Sequence, residues 1–202
     1  NHLVSIINLI NFYENINKLD KAIKISEDSC KLHPDKYEVH YNFGRLNHKY
    51  KINLDNAYSA YKKSLSINNN LEIAKLGLGQ ICKSKGNFIE AKKTFQEIID
   101  SNSNEIKAYY EIIEFLDDKE IKKNIKNLEI LEKNNKQGDR EKVFLYFTMG
   151  KMFEKISKYE KSIHYYNLGN DLKRKYSDYS IDYDKKRFDA IIKTIDKFGT
   201  NK

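Results

Sequence analysis

Small residues recur in this sequence at a fixed interval, and that interval limits what the chain can fold into. The segments LDKAIKISEDSCKLHPD (19–35), LDNAYSAYKKSLSINNN (54–70) and FIEAKKTFQEIIDSNSN (88–104) each open on an apolar residue. Each reaches Ala three positions later and ends in a polar turn. Ala22, Ala57 and Ala91 stand 35 and 34 residues apart. A second lattice, Phe43-Gly44, Leu78-Gly79 and Met149-Gly150, runs at 35 and then 71 residues, close to two periods. One unit between 80 and 149 therefore keeps its length and loses its signature. Self-similarity at this period marks stacked supersecondary units, each burying its apolar side only against its neighbours.

The unit is helical. One Pro and 8 Gly in 202 residues are too few for the turns of an all-β chain. Apolar spacing predicts helices over 3–15, 19–32, 37–50, 54–67, 71–84, 88–101, 105–117, 119–133, 140–156, 160–175 and 183–198. Ile121, Ile125, Leu128 and Leu131 form one apolar stripe, and Phe144, Phe147, Met152 and Ile156 approximate another. Asp118 and Asp139 suit N-caps, NNKQGD (134–139) reads as a turn, and Pro34 sits where it stops a helix without breaking it.

These residues resemble the tetratricopeptide repeat, whose unit is a helix-turn-helix of 34 residues. Gly44, Gly79 and Gly150 match the small residues of its first helix, and Ala22, Ala57 and Ala91 those of its second. Tyr61, Phe95 and Tyr166 match its aromatic position, expected to pack on the next unit. Ile6, His40, Lys75, Tyr109 and Tyr146 stand at its tryptophan-like position, where His40 and Lys75 fit poorly. The resemblance implies an all-α, right-handed α-solenoid of about five hairpins plus a C-terminal capping helix. Units fall near 3–36, 37–71, 72–105, 106–139 and 143–176, with the cap and the start of a linker over 181–202. The fourth unit is degenerate, with Ile113 where glycine is expected. Phe188, Ile191, Ile192 and Ile195 would form the buried stripe of the cap, covering Phe153, Ile163 and Tyr166.

Residues 147–198 also look like the last repeat and linker of bacterial tetratricopeptide-sulfotransferase proteins. The pieces that carry this are Gly150, Lys158-Tyr159-Glu160, Tyr166, Gly169-Asn170, Lys173-Arg174, Tyr183-Asp184 and the apolar run from Phe188 to Phe198. The resemblance implies a sulfotransferase domain in cis beyond Lys202, whose Gly-rich loop would hold the phosphosulfate donor. No such loop occurs in the sequence, so the chain itself is expected to be non-enzymatic and to need no cofactor or metal.

His2, His33, His40, His48 and His164 show no i, i+4 pairing and no cysteine at ligand spacing. Cys30 and Cys82 form neither a CxxC pair nor a disulfide framework, which suits a cytoplasmic protein. No apolar run approaches membrane-spanning length. A net charge of +8 raises nucleic acid as a partner, but the lysines are interleaved with acids in every segment, without a block of five. A chaperone-tail clamp is excluded: Asn11 and Asn42 match two of its places, but Ile7, Ile73 and Gly77 supply no cation.

The expected function is protein or peptide binding in a concave groove lined by the first helices. Its expected contacts are Asn11, Tyr41, Arg45, His48, Gln80, Lys83, Tyr110, Phe147 and Lys151. Rings beside cations there suit an acidic or aromatic-containing peptide, or an anionic glycan. A stand-alone scaffold and a nucleic-acid-binding helical repeat are the alternatives to a sulfotransferase-associated recruiting arm.

Overall fold

A computed structural model describes residues 2–134, 137–175 and 185–193. Among them every regular element is a helix. In order these are α1 (His2–Asn15), α2 (Leu19–Leu32), α3 (Tyr37–Lys49), α4 (Leu54–Ile67), α5 (Glu72–Ser84), α6 (Phe88–Ser101) and α7 (Ile106–Ile112). A 3-10 turn (Ile113–Phe115) follows, then α8 (Asp118–Asn134), α9 (Asp139–Lys155) and α10 (Tyr159–Arg174). Residues 185–193 form α11. The chain is an all-α helical repeat, and through α10 the expected boundaries hold to within a few residues, while the ends of the expected 183–198 helix lie outside the described residues. It divides into two compact units, residues 1–127 and 128–202.

In the first unit α1–α2, α3–α4 and α5–α6 are antiparallel hairpins, and each packs on the next. Ala22, Ala57 and Ala91 are wholly buried, as their spacing requires. The glycines admit aromatic rings. A Cβ at Gly44 would lie 3.0 Å from Cδ1 of Tyr61, and one at Gly79 would lie 2.5 Å from Cε1 of Phe95. Both rings therefore pack inside their own hairpins. Tyr61 also reaches the next hairpin, where a Cβ at Gly77 would lie 2.6 Å from its Cε2. One tyrosine ring is thus held between the backbones of α3 and α5.

The hairpin turns repeat at the backbone level. Asn17, Lys51 and Gly86 all adopt positive φ, at 57°, 52° and 77°. Each lies in an αL helix stop, in which the following N–H reaches five residues back. Lys18 donates to Tyr13 at 2.8 Å, Ile52 to Asn47 at 3.0 Å and Asn87 to Cys82 at 2.8 Å. Only Gly86 advertises this in sequence. After α7 there is no such stop, and the helix ends in the 3-10 turn. Ile113 is buried where Gly79 admits a ring, and Glu129 stands one period after Phe95, so no ring is there to be admitted.

Two caps lie one residue before their expected positions. Asp117, not Asp118, caps α8: its carboxylate accepts from Glu120 N–H at 2.8 Å, and Glu120 accepts from Asp117 N–H at 2.9 Å. Gly138, not Asp139, precedes α9, with its N–H donated to Glu141 at 3.2 Å. His40, a poor fit to its repeat position, is buried with Nε2 3.0 Å from the Pro34 carbonyl, tying α3 to the preceding turn. Ile121, Ile125, Leu128 and Leu131 are all buried, as their stripe predicts.

In the second unit α9 pairs with α10 through reciprocal glycines. A Cβ at Gly150 would lie 2.7 Å from Tyr166, and one at Gly169 would lie 3.1 Å from Phe147. The buried stripe of α9 is Leu145, Met149, Met152 and Phe153, not Phe144 and Phe147, because the glycine contacts set the rotation of the helix. A second correction concerns α11. Phe188, Ile191 and Ile192 are 64%, 46% and 55% exposed, so the expected buried stripe is not buried. Ile163, which it was to cover, is 59% exposed. The rest of that segment, including Tyr183, Asp184 and Ile195, lies outside the described residues.

Candidate functional site

The first helices of successive hairpins adjoin in the first unit, with α3 against α5 and α5 against α7. Seven of the nine expected contact residues belong to this face. Asn11 is exposed on α1, while Tyr41, Arg45 and His48 on α3 are half-buried. Gln80 and Lys83 on α5 and Tyr110 on α7 are half-buried as well. Phe147 and Lys151 lie on α9, in the second unit, and Phe147 is engaged in helix pairing, 6.3 Å from Tyr166.

The cations of the face are already paired, which the sequence reading missed. Arg45 donates to both carboxylate oxygens of Glu14 on α1, at 3.0 and 2.7 Å, and to Asn11 Oδ1 at 3.4 Å. Lys49 Nζ at 2.7 Å and the Tyr50 hydroxyl at 3.0 Å donate to the same carboxylate. Four hydrogen bonds to a side chain only 8% exposed hold Glu14 in its charged form. The Arg45 guanidinium leads, ahead of the opposing cost of burial, in drawing its pKa down to about 2. On the other side of the face, Gln80 Nε2 donates to Glu111 Oε1 at 2.8 Å. Lys83 Nζ lies 3.4 Å from Glu111 and 3.1 Å from Glu114. Each bond crosses from one hairpin to the next, so these pairs lock neighbouring repeats in register as well as neutralising the face.

Between the two charged clusters lies an aromatic patch. Tyr41 and His48 both have ring centroids 6.1 Å from that of Tyr61, the ring held between Gly44 and Gly77. Burial lowers the pKa of His48, opposed by the Glu111 carboxylate, so the imidazole is neutral at physiological pH. Asn42, one of the two clamp-like asparagines, turns its amide to the Glu38 carbonyl of its own helix at 2.9 Å.

Glu14, Glu111, Glu114, Tyr61 and Gly77 all shape the face and were absent from the expected set. The available signal was an opposite charge or partner about one period less one helical turn away: Glu14–Arg45 and Gln80–Glu111 are each 31 residues apart. The arrangement offers hydrogen bonds, aromatic faces and fixed charges for recognition. Among the described residues no three His, Cys, Asp or Glu side chains converge as metal ligands. Both cysteine thiols are raised to about 11 by burial, which leaves them protonated and poor nucleophiles.

Residues 74–105, which span α5 and α6, match the tetratricopeptide repeat family. No curated protein matches the chain in sequence. Among solved structures, MamA is similar at 19% identity over 84% of this chain and 97% of its own, with a TM-score of 0.63. MamA (41-end) from Desulfovibrio magneticus RS-1 is similar at 13% identity over 85% and 95%, with a TM-score of 0.64. YrrB, a TPR protein with an unusual peptide-binding site, is similar at 14% identity over 85% and 86%, with a TM-score of 0.57. These likenesses show the fold: a tetratricopeptide-type helical repeat.

Proposed function

We propose that the chain is a protein- or peptide-binding scaffold, and that its ligand lies across α1, α3, α5 and α7 of the first unit. One observation carries this reading. Tyr41, His48, Gln80 and Tyr110 present half-exposed hydrogen-bonding and aromatic groups on three adjoining helices. Around them, ion pairs between hairpins fix the helices that present them. A preorganised face of this kind loses little entropy when a peptide docks. Similarity in fold to YrrB, whose structure is described by its peptide-binding site, is consistent with this use of the scaffold.

Substitution tests the reading. Tyr41→Ala and Gln80→Ala should each weaken a peptide selected on the protein by about five- to fiftyfold, the range of a moderate to strong interface contact. Lys63→Ala on the opposite helix layer should leave it unchanged. Equal affinity in all three variants would place the binding surface elsewhere.

The finer form of the proposal is that this scaffold recruits partners for a sulfotransferase-type domain. Its support is the run from Gly150 through Lys158-Tyr159-Glu160, Tyr166, Gly169-Asn170 and Lys173-Arg174 to Tyr183-Asp184. Reading the encoding gene past Lys202 tests it: a strand leading into a Gly-rich loop ending in Ser or Thr supports the association. A stop codon or an unrelated sequence leaves a stand-alone scaffold.

A further inference from the structure

The tryptophan-like position of the repeat is occupied unevenly along the first unit. His40 on α3 and Tyr109 on α7 stand there one period to either side of Lys75, and both rings are buried. Lys75 on α5 is half-buried and instead lines an open groove of about 340 Å³. Residues of α4, α5 and α6 form this groove, with Leu65 and Leu78 supplying aliphatic surface, and none of them belongs to the first-helix face described above. The charges lining it do not balance. Lys62 Nζ lies 3.0 Å from Glu90, and Lys93 Nζ lies 3.9 Å from Glu97. Lys75 is the third lysine, and its ammonium has no ion-pair or hydrogen-bond partner among the described residues. The side-chain amide of Asn69, on the same groove, likewise makes no hydrogen bond among them.

We propose that this groove is a binding site for a small aliphatic monocarboxylic acid. Its carboxylate accepts from the Lys75 ammonium, with the Asn69 amide as a second donor, and its stem lies on Leu65 and Leu78. The site is separate from the peptide face and stands or falls without it. One carboxylate matches the one lysine left without a counter-ion. A phosphate dianion would set its second charge against Glu90 and Glu97, and like charges in contact are a basis for rejection. The volume lies at the lower end of small-molecule pockets, which run from about 300 to 1,000 Å³. A half-buried ammonium has given up part of its water without gaining an anion, so a charge-assisted hydrogen bond is worth more there than on the open surface. A ring at this position, as in the hairpins on either side, would occupy the space that the lysine leaves open and charged.

The test is titration of the isotope-labelled full chain with 4-methylpentanoate at low ionic strength, where charge is least screened. Saturable amide shifts should centre on Lys75, Leu78 and the facing residues of α4 and α6. The uncharged 4-methylpentanamide and inorganic phosphate should each bind about five- to tenfold more weakly than the acid, as should the acid to Lys75→Met, which keeps the stem and removes the charge. Lys75→Arg keeps the cation and should hold the affinity to within about twofold, which separates loss of charge from loss of fold. Lys75→Tyr, which supplies the ring of the next hairpin, should abolish the shifts while the helical circular dichroism spectrum is retained. Equal binding of the acid and its amide, equal binding by the wild type and Lys75→Met, tighter binding of phosphate, or no saturable shift at all would each overturn the proposal.

Discussion

Single atoms decide the packing of this repeat. Gly77 is the sharpest case, because the Tyr61 ring it meets is blocked on its other edge by Gly44 and cannot withdraw. Gly77→Ala should therefore destabilise the chain by about 1–3 kcal/mol through overpacking. Gly138→Ala, at a site with nothing within 4 Å, should stay within about 0.5 kcal/mol in the same urea titration. Equal effects at the two sites would contradict the clamped ring. Glu14 makes the second residue-scale prediction. Its pKa lies at about 2 in the folded chain against an ordinary 4.5. Its contribution is therefore complete above about pH 4.5 and disappears as pH falls through 2. The stability difference between the wild type and Glu14→Gln should be at most about 3 kcal/mol at pH 7 and shrink towards nothing near pH 2. A pH-independent difference would mean that the carboxylate is not held by Arg45, Lys49 and Tyr50.

At the scale of elements, caps separate neighbouring acids that composition cannot. Asp117→Ala removes a reciprocal cap with Glu120 and should cost about 1–2 kcal/mol, whereas Asp118→Ala, inside the first turn of α8, should cost less than about 0.5 kcal/mol. The reverse order, measured by thermal or urea denaturation, would restore Asp118 as the cap. This one-residue offset shows where sequence reading stops. Helix positions were legible because Ala22, Ala57 and Ala91 have to be small at a helix crossing, and the apolar stripes follow from that. The αL turns were not, because Asn17 and Lys51 adopt positive φ without a glycine to signal it. The face itself was half legible. Tyr41, Arg45 and His48 lie on α3, Gln80 and Lys83 on α5 and Tyr110 on α7, but charge sign along one helix says nothing of the carboxylate contributed by the next. Glu14 and Glu111 pair with the cations of an apparently cationic groove. The exposed apolar side of α11 is a further miss: helical spacing in Phe188, Ile191 and Ile192 specified an amphipathic helix but not what covers it.

For the molecule as a whole, a net charge of +8 describes the partner poorly. Cations pair with acids from neighbouring hairpins throughout the first unit, as in Lys62–Glu90 at 3.0 Å and Lys92–Glu120 at 2.9 Å on the second-helix layer. None of the helices among the described residues is long and apolar enough to cross a membrane. The central claim is that the first-helix layer of the first unit is where a partner binds, and amide chemical-shift mapping tests it most directly. Titrating the isotope-labelled chain with a peptide selected on it should move resonances of α1, α3, α5 and α7, centred on Tyr41, His48, Gln80 and Tyr110. Shifts confined to α2, α4 and α6, or to residues 137–175 alone, would contradict the account.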